Sequence, residues 1–328
     1  MTIELTISAV NRELIDLSEE SRLMQRSWVP PCLDYSARLL QWYARSSNSL
    51  PAFVVRARLA GDLVGFGMAL PRRFRTNSWE GDGYIKSFMT VDPAARGRGI
   101  GVSLRVALLR EVRKLGMPVL RFGEGMTEVR ERLRADYASA DYVTVDLGTC
   151  PSASFVASES SESVQRERAV VLGDKEFLKA RESFAPSELL SVWQTPESLN
   201  HDAQDFRPRA KLGIATGPSG WRALASVVLA DFATKHGGQS RVALVEDAVL
   251  SAEATPEDLR ELSLAIGASM LTGARGQVTL SNTAGVPPLL LSSAGFRKIP
   301  SRYSALLAVP DARHPLASGT HGTTAAVT

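Results

Sequence analysis

Three glycines and two arginines stand together in Arg96-Gly97-Arg98-Gly99-Ile100-Gly101, between an apolar run that ends at Val91 and a stretch with helical periodicity. A turn needs one or two such residues, so the surplus points to a ligand. After the turn, Leu104, Leu108, Val112 and Leu115 recur at three- and four-residue steps, while Arg105, Arg110, Arg113 and Lys114 fall on other faces. The glycines therefore sit at the N-terminus of an amphipathic helix, where free amide hydrogens and the helix dipole favour an anion. Glycine at 97, 99 and 101 lets a phosphate approach the main chain without meeting a Cβ, and Arg96 and Arg98 supply charge-assisted donors at the rim. A pyrophosphate is the natural occupant. The spacing is neither the P-loop GxxxxGK[ST] nor the dinucleotide fingerprint GxGxxG. An RG-type RNA contact would come as many repeats in a disordered segment, and a purely structural glycine turn with two solvated arginines is the plain alternative.

The elements that must position this turn follow from periodicity. We read a strand at 4–10, two helices between 12 and 45, and strands 52–59 and 63–74 joined by hairpin chemistry at Ala60-Gly61-Asp62. A strand at 84–91 comes next, then a helix at 99–115, a strand at 119–122, a helix near 128–138 and a strand from Tyr142. The order is that of a mixed α/β sheet. The segment 151–165 is rich in serine and reads as a linker. Beyond it the rhythm returns: strands 211–216, 223–232 and 242–250, a helix near 257–271, a strand at 277–281, a short helix ending at Ser293 and strands over 296–309. This predicts an internal duplication, with domains at 1–150 and 166–310 and a flexible tail at 311–328.

The chain has 328 residues, 44% hydrophobic and 22% charged, which suits two ordinary globular domains. Its net charge of +3, with basic and acidic residues interspersed, argues against a protein built to hold nucleic acid or an anionic membrane. Two cysteines, Cys32 and Cys150, give neither a disulfide framework nor a CxxC metal site. No signal-like or membrane-spanning stretch is read, so a cytoplasmic protein without metal is expected. His201, His236, His314 and His321 carry no partner pattern for a metal or a triad.

The stretch Val91-Asp92-Pro93-Ala94-Ala95-Arg96-Gly97-Arg98-Gly99-Ile100-Gly101 resembles motif A of the GCN5-related N-acetyltransferases (GNAT), Arg/Gln-x-x-Gly-x-Gly/Ala after a V-x-P strand end. The likeness extends over most of residues 1–150. It implies acetyl-CoA or another acyl-CoA as donor, its pyrophosphate held by the amides from about Arg98 to Val102. Met89 and Val91 would offer main-chain groups to the pantetheine arm, and a nearby amide would polarise the thioester carbonyl. The family often protonates the departing thiolate with a tyrosine in a LYxKxGF stretch. The matching segment here is Asp136-Tyr137-Ala138-Ser139-Ala140-Asp141-Tyr142, so Tyr137 is the candidate acid, against a packing role one turn after Leu133. Members commonly use a carboxylate base on the central strands, yet residues 85–91 contain none. Of Glu80, Asp82 and Glu124, the last is best placed, at the end of the next strand where the sheet should splay open.

In the second half the glycine-arginine turn is replaced by Ser251-Ala252-Glu253-Ala254-Thr255-Pro256-Glu257-Asp258, whose carboxylates would repel a pyrophosphate. The chain is thus similar to the tandem two-domain acetyltransferases, with an intact N-terminal copy and a degenerate C-terminal one, each a mixed, mostly antiparallel splayed sheet flanked by helices. The resemblance implies an acyl-CoA-dependent N-acyltransferase acting on a small-molecule amine, as a monomer or homodimer. A non-catalytic acyl-CoA sensor and an acetyltransferase of protein or peptide amines are the alternatives.

Overall fold

The computed structural model describes residues 2–11, 15–30, 32–45, 50–124, 127–149, 152–157, 168–184, 191–193, 195–202, 204–216, 220–234, 238–271, 276–280, 286–299 and 303–317. In chain order the first part runs β1 (Ile3–Val10), α1 (Ser18–Ser27), β2 (Cys32–Leu33), α2 (Ala37–Ala44), β3 (Ala52–Leu59), β4 (Asp62–Arg75), β5 (Glu80–Val91), α3 (Ile100–Lys114), β6 (Val119–Glu124), α4 (Thr127–Ala138) and β7 (Val143–Thr149). The second part runs β8 (Ser152–Ala157), β9 (Ala169–Val171), α5 (Asp174–Glu182), β10 (Ser191–Trp193), α6 (Pro196–Asp202), β11 (Arg209–Ala215), β12 (Trp221–Ala233), β13 (Gln239–Leu250), α7 (Pro256–Met270), β14 (Gly276–Leu280), α8 (Pro288–Ser293), β15 (Arg297–Ile299) and β16 (Tyr303–Val309). Two compact units result, one from Met1–Thr149 and the segment that begins at Tyr303, the other from Cys150–Arg302.

The sheet of the first unit has the strand order β1-β3-β4-β5-β6-β16-β7. Ala60 and Gly61, both at positive φ, close β3 onto β4, the two-residue turn whose twist suits a hairpin. One face of the sheet is covered by α3, whose Ile100, Leu104, Leu108 and Val112 bury themselves with Phe53, Val55, Ala57 and Tyr84. Gly65 allows that helix its closeness, since a Cβ there would lie 2.9 Å from Leu104 Cδ1 and 3.0 Å from Ile100 Cγ2. The other face carries α1 and α2, with Leu23, Met24, Leu39, Leu40 and Tyr43 packed on Phe66, Met68 and Phe88. Both faces are apolar because each strand alternates its side chains between two helix layers.

The second unit repeats the plan in the order β15-β8-β14-β13-β12-β11-β9. Along these two orders every neighbouring pair is antiparallel except β5 with β6 and β13 with β14, which are parallel. The helices between these pairs, α3 and α7, are both 15 residues long.

Three boundaries differ from the sequence reading. Ser152–Ala157, within the expected linker, is a strand paired with both β14 and β15. The strands expected over 296–309 separate: β15 stays in the second sheet, whereas β16 enters the first, between β6 and β7. The expected tail is ordered through residue 317, where Leu316 is fully buried and His314 packs edge-on to Trp79 at 5.3 Å. The remainder of the tail and residues 158–165 of the linker lie outside the described residues.

Candidate active site

Strands β5 and β6 pair over only three residues, Tyr84 with Val119, Ile85 with Leu120 and Lys86 with Arg121. Both strands continue, β5 to Val91 and β6 to Glu124, without further pairing to each other. The result is a fork whose foot is the Lys86–Arg121 pair. Just above the foot, Phe88 holds a φ of 59°, and the β4 register shifts opposite it between Phe66 and Met68. A non-glycine residue in this region costs about 1–3 kcal/mol and persists only where its surroundings fix it. Here Tyr35 and Tyr43 hold the Phe88 ring at centroid distances of 5.6 and 5.1 Å. Trp28 joins them, edge-on to Tyr35 at 5.2 Å and donating from Nε1 to Thr90 Oγ1 at 2.9 Å. The bulge thus falls just beyond the last residue at which β5 pairs with β6.

At the open end, Gly97 and Gly99 adopt φ of 81° and 75°, and nothing lies within 4 Å of where a Cβ would stand on either. Gly99 is the N-cap of α3, and its carbonyl accepts from the amides of Val102 and Ser103. None of the amides from Gly97 to Gly101 donates to a main-chain carbonyl among the described residues. Gly101 lies against the strand end, its Cβ position 3.6 Å from Val91 Cγ2, so the helix start abuts the last residue of β5.

The turn departs from expectation in two details. The Val102 amide is engaged with Gly99, so the amides without a main-chain acceptor among the described residues are those of Gly97, Arg98, Gly99, Ile100 and Gly101. Arg96 does not stand at the rim; its guanidinium folds back onto the carbonyls of Val91, at 3.4 Å, and Ser27, at 3.2 Å. Arg98 is exposed and remains the cation beside the amides. With no side chain over Gly97 or Gly99, the main chain at this helix start is open to an approaching anion.

Met89 and Val91 lie on the free stretch of β5 beyond the last β6 pair, with the Met89 thioether over Gly67 of β4. Tyr137 is fully buried beneath the foot of the fork, edge-on to Tyr142 at 6.4 Å. Its hydroxyl has no hydrogen-bond partner among the described residues, and burial raises its pKa to about 12. Glu124 ends β6 opposite Tyr303, and its side chain lies outside the described residues. Glu80 and Asp82 are instead tied to Arg73 at the far end of the β4–β5 hairpin, at 3.1 and 3.3 Å.

Sequence reasoning passed over Lys86. This lysine is buried at the foot with its Nζ 5.3 Å from the Tyr137 ring centroid. Burial pushes its pKa well below the ordinary value, aided by Arg121 and Arg105 and opposed by Asp136. Arg105 and Asp136 form an ion pair at 2.6 Å. A single charged residue inside the apolar run Tyr84-Ile85-Lys86-Ser87-Phe88 was the available signal.

The corresponding end of α7 in the second unit is filled by the chain itself. Thr255 and Asp258 form a capping box, and Arg168 donates to Asp258 at 2.7 Å and also to Glu261. Arg222 pairs with Glu253 nearby.

A sheet forked beside its central helix, with an open glycine turn at the start of that helix, has counterparts among known proteins. Residues 17–135 match the Acetyltransferase (GNAT) family. The tandem arrangement has solved counterparts. A tandem GNAT protein from the clavulanic acid biosynthesis pathway is similar over 94% of this chain and 99% of its own, at 14% identity and a TM-score of 0.59. An N-myristoyltransferase from Saccharomyces cerevisiae, solved with bound myristoyl-CoA, is similar over 92% of this chain and 82% of its own, at 12% identity and a TM-score of 0.63. A GCN5-related N-acetyltransferase from Anabaena variabilis covers 94% and 73% respectively, at 10% identity and a TM-score of 0.56. No curated protein matches the chain by sequence. No helix among the described residues is long and apolar enough to cross a membrane.

Proposed function

We propose that the protein transfers the acyl group of acyl-CoA, with acetyl-CoA the default donor, to the amine of a small molecule. The observation that carries this reading is the open glycine turn, whose amides from Gly97 to Gly101 have no main-chain acceptor among the described residues, set at the mouth of a fork between two strands. The pyrophosphate would rest on Gly97–Gly101 with Arg98 alongside, and the pantetheine arm would run down β5 past Val91 and Met89. A main-chain amide near the Phe88 bulge would lie beside the thioester, where a donated hydrogen bond would stabilise the oxyanion formed as the amine adds. Tyr137 would donate a hydrogen bond to the sulfur, since its hydroxyl has no other partner among the described residues. Glu124, on the other arm of the fork, is the carboxylate we assign to the incoming ammonium. The second unit contributes no coenzyme site in this scheme, because Arg168, Asp258 and Glu261 occupy the equivalent helix start.

The test is calorimetry with CoA and acetyl-CoA, followed by release of free thiol from acetyl-CoA on addition of a panel of small primary amines. Binding and amine-dependent thiol release are expected. Absence of heat with either coenzyme would overturn the reading, and binding without turnover on any amine would reduce it to an acyl-CoA sensor.

A further inference from the structure

The depth of the fork matches the length of a coenzyme arm. Gly101 abuts Val91, so phosphates seated on the turn start level with that residue. From Val91 back to Lys86 is ~16 Å of strand at about 3.3 Å per residue. The arm between phosphorus and sulfur contains about thirteen bonds and spans ~15 Å when extended, at roughly the reach per bond of a peptide backbone. Its sulfur therefore arrives at the foot of the fork, where the Lys86–Arg121 pair stops it from going further. The groups around that point are predominantly cationic: Lys86 from β5, Arg121 from β6 and Arg105 from α3, with Asp136 and Tyr137 from α4. The β4 residue paired with Lys86 is Ala69, which adds no charge.

We propose that Lys86 is a catalytic residue that stabilises the departing CoA thiolate and protonates it, a role resting on the acyl-CoA reading above. When the tetrahedral intermediate collapses, the carbon–sulfur bond breaks and its electron pair goes to sulfur. The Lys86 ammonium gives a proton to that sulfur, leaving CoA thiol and a neutral amine. The acceptor nitrogen releases its surplus proton to solvent, and Lys86 takes one back. A thiol near 8.5 is matched better by a desolvated lysine, shifted down from its usual range, than by Tyr137, raised to about 12. Tyr137 then positions the sulfur through its neutral hydroxyl, and its ring face favours the ammonium form of Lys86.

The test needs no acceptor. The thiol of CoA bound to the full-length protein is titrated by its ultraviolet thiolate absorbance, in wild type, Lys86→Met and Lys86→Arg, with CoA affinity measured in parallel by calorimetry. The wild-type complex is expected to hold roughly ten times more thiolate than free CoA at a pH below the free thiol's pKa. Lys86→Met should abolish that excess while changing affinity by no more than about threefold, and Lys86→Arg should keep most of it. A thiol that titrates in the wild-type complex as it does in free CoA overturns the proposal whether or not the variants fold, and so does an unchanged titration in Lys86→Met. Failure of wild type to bind CoA at all would remove the acyl-CoA reading and this one with it.

Discussion

Gly99 and Gly116 sit at opposite ends of α3 with nearly the same backbone strain and different surroundings in function. Their φ values are 75° and 68°, and neither has an atom within 4 Å of where a Cβ would stand. Alanine at either site thus adds no clash and incurs only the left-handed penalty of about 1–2 kcal/mol. Both variants should lose about that much in urea-induced unfolding. The consequences for ligand differ. At Gly99 the new methyl group stands where a phosphate must approach the amides, and losing one charge-assisted hydrogen bond is worth ~1.5–3 kcal/mol. CoA affinity of Gly99→Ala should therefore fall by roughly 10- to 100-fold in calorimetry, whereas Gly116→Ala should bind as wild type. Equal affinity in the two variants would refute the placement of the pyrophosphate, and a much larger stability loss at Gly99 would mean that the space above the turn is not open.

Other perturbations separate strain, packing and charge. Phe88→Ala keeps the strained φ and loses the ring, so a loss of about 3–5 kcal/mol is expected; Phe88→Gly should be the milder change by about 1 kcal/mol, reversing the usual order, in the same unfolding assay. Tyr137→Phe removes a buried hydroxyl without a partner among the described residues and should leave stability unchanged or raise it by about 1 kcal/mol, read by thermal denaturation. In the second unit, burial opposes ionisation of Asp258, but Thr255 and Arg168 outweigh it and lower its pKa. That group stabilises the fold above the unfolded carboxylate value of about 3.9, and the contribution fades as pH falls through its lower folded value. Arg168→Ala should shift the acid-unfolding midpoint to higher pH, followed by circular dichroism.

The turn and its flanking elements were legible because they are local. The α3 period, the glycines and the strand before them lie within one short stretch, and the structure places that helix at Ile100–Lys114 against an expected 99–115. What sequence could not convey is pairing between distant segments. Residues 296–309 show strand character throughout, but nothing in their alternation tells which sheet each part joins, and β15 and β16 part company there. Ser152–Ala157 escaped for the same reason, because small residues look like linker until the strands on both sides are known. The Lys86 environment depends on four elements meeting, and the folding back of Arg96 depends on the Ser27 carbonyl.

The strand Tyr303–Val309 is flanked on both sides within the sheet that carries the glycine turn. A nascent chain emerging from the ribosome can form its hairpins and its central helix early, but the gap between β6 and β7 stays unfilled until residues 303–309 have been synthesised. Completion of the proposed catalytic unit therefore waits until the second unit has been made, and a stop codon anywhere between residues 150 and 303 deprives the first unit of its missing rung.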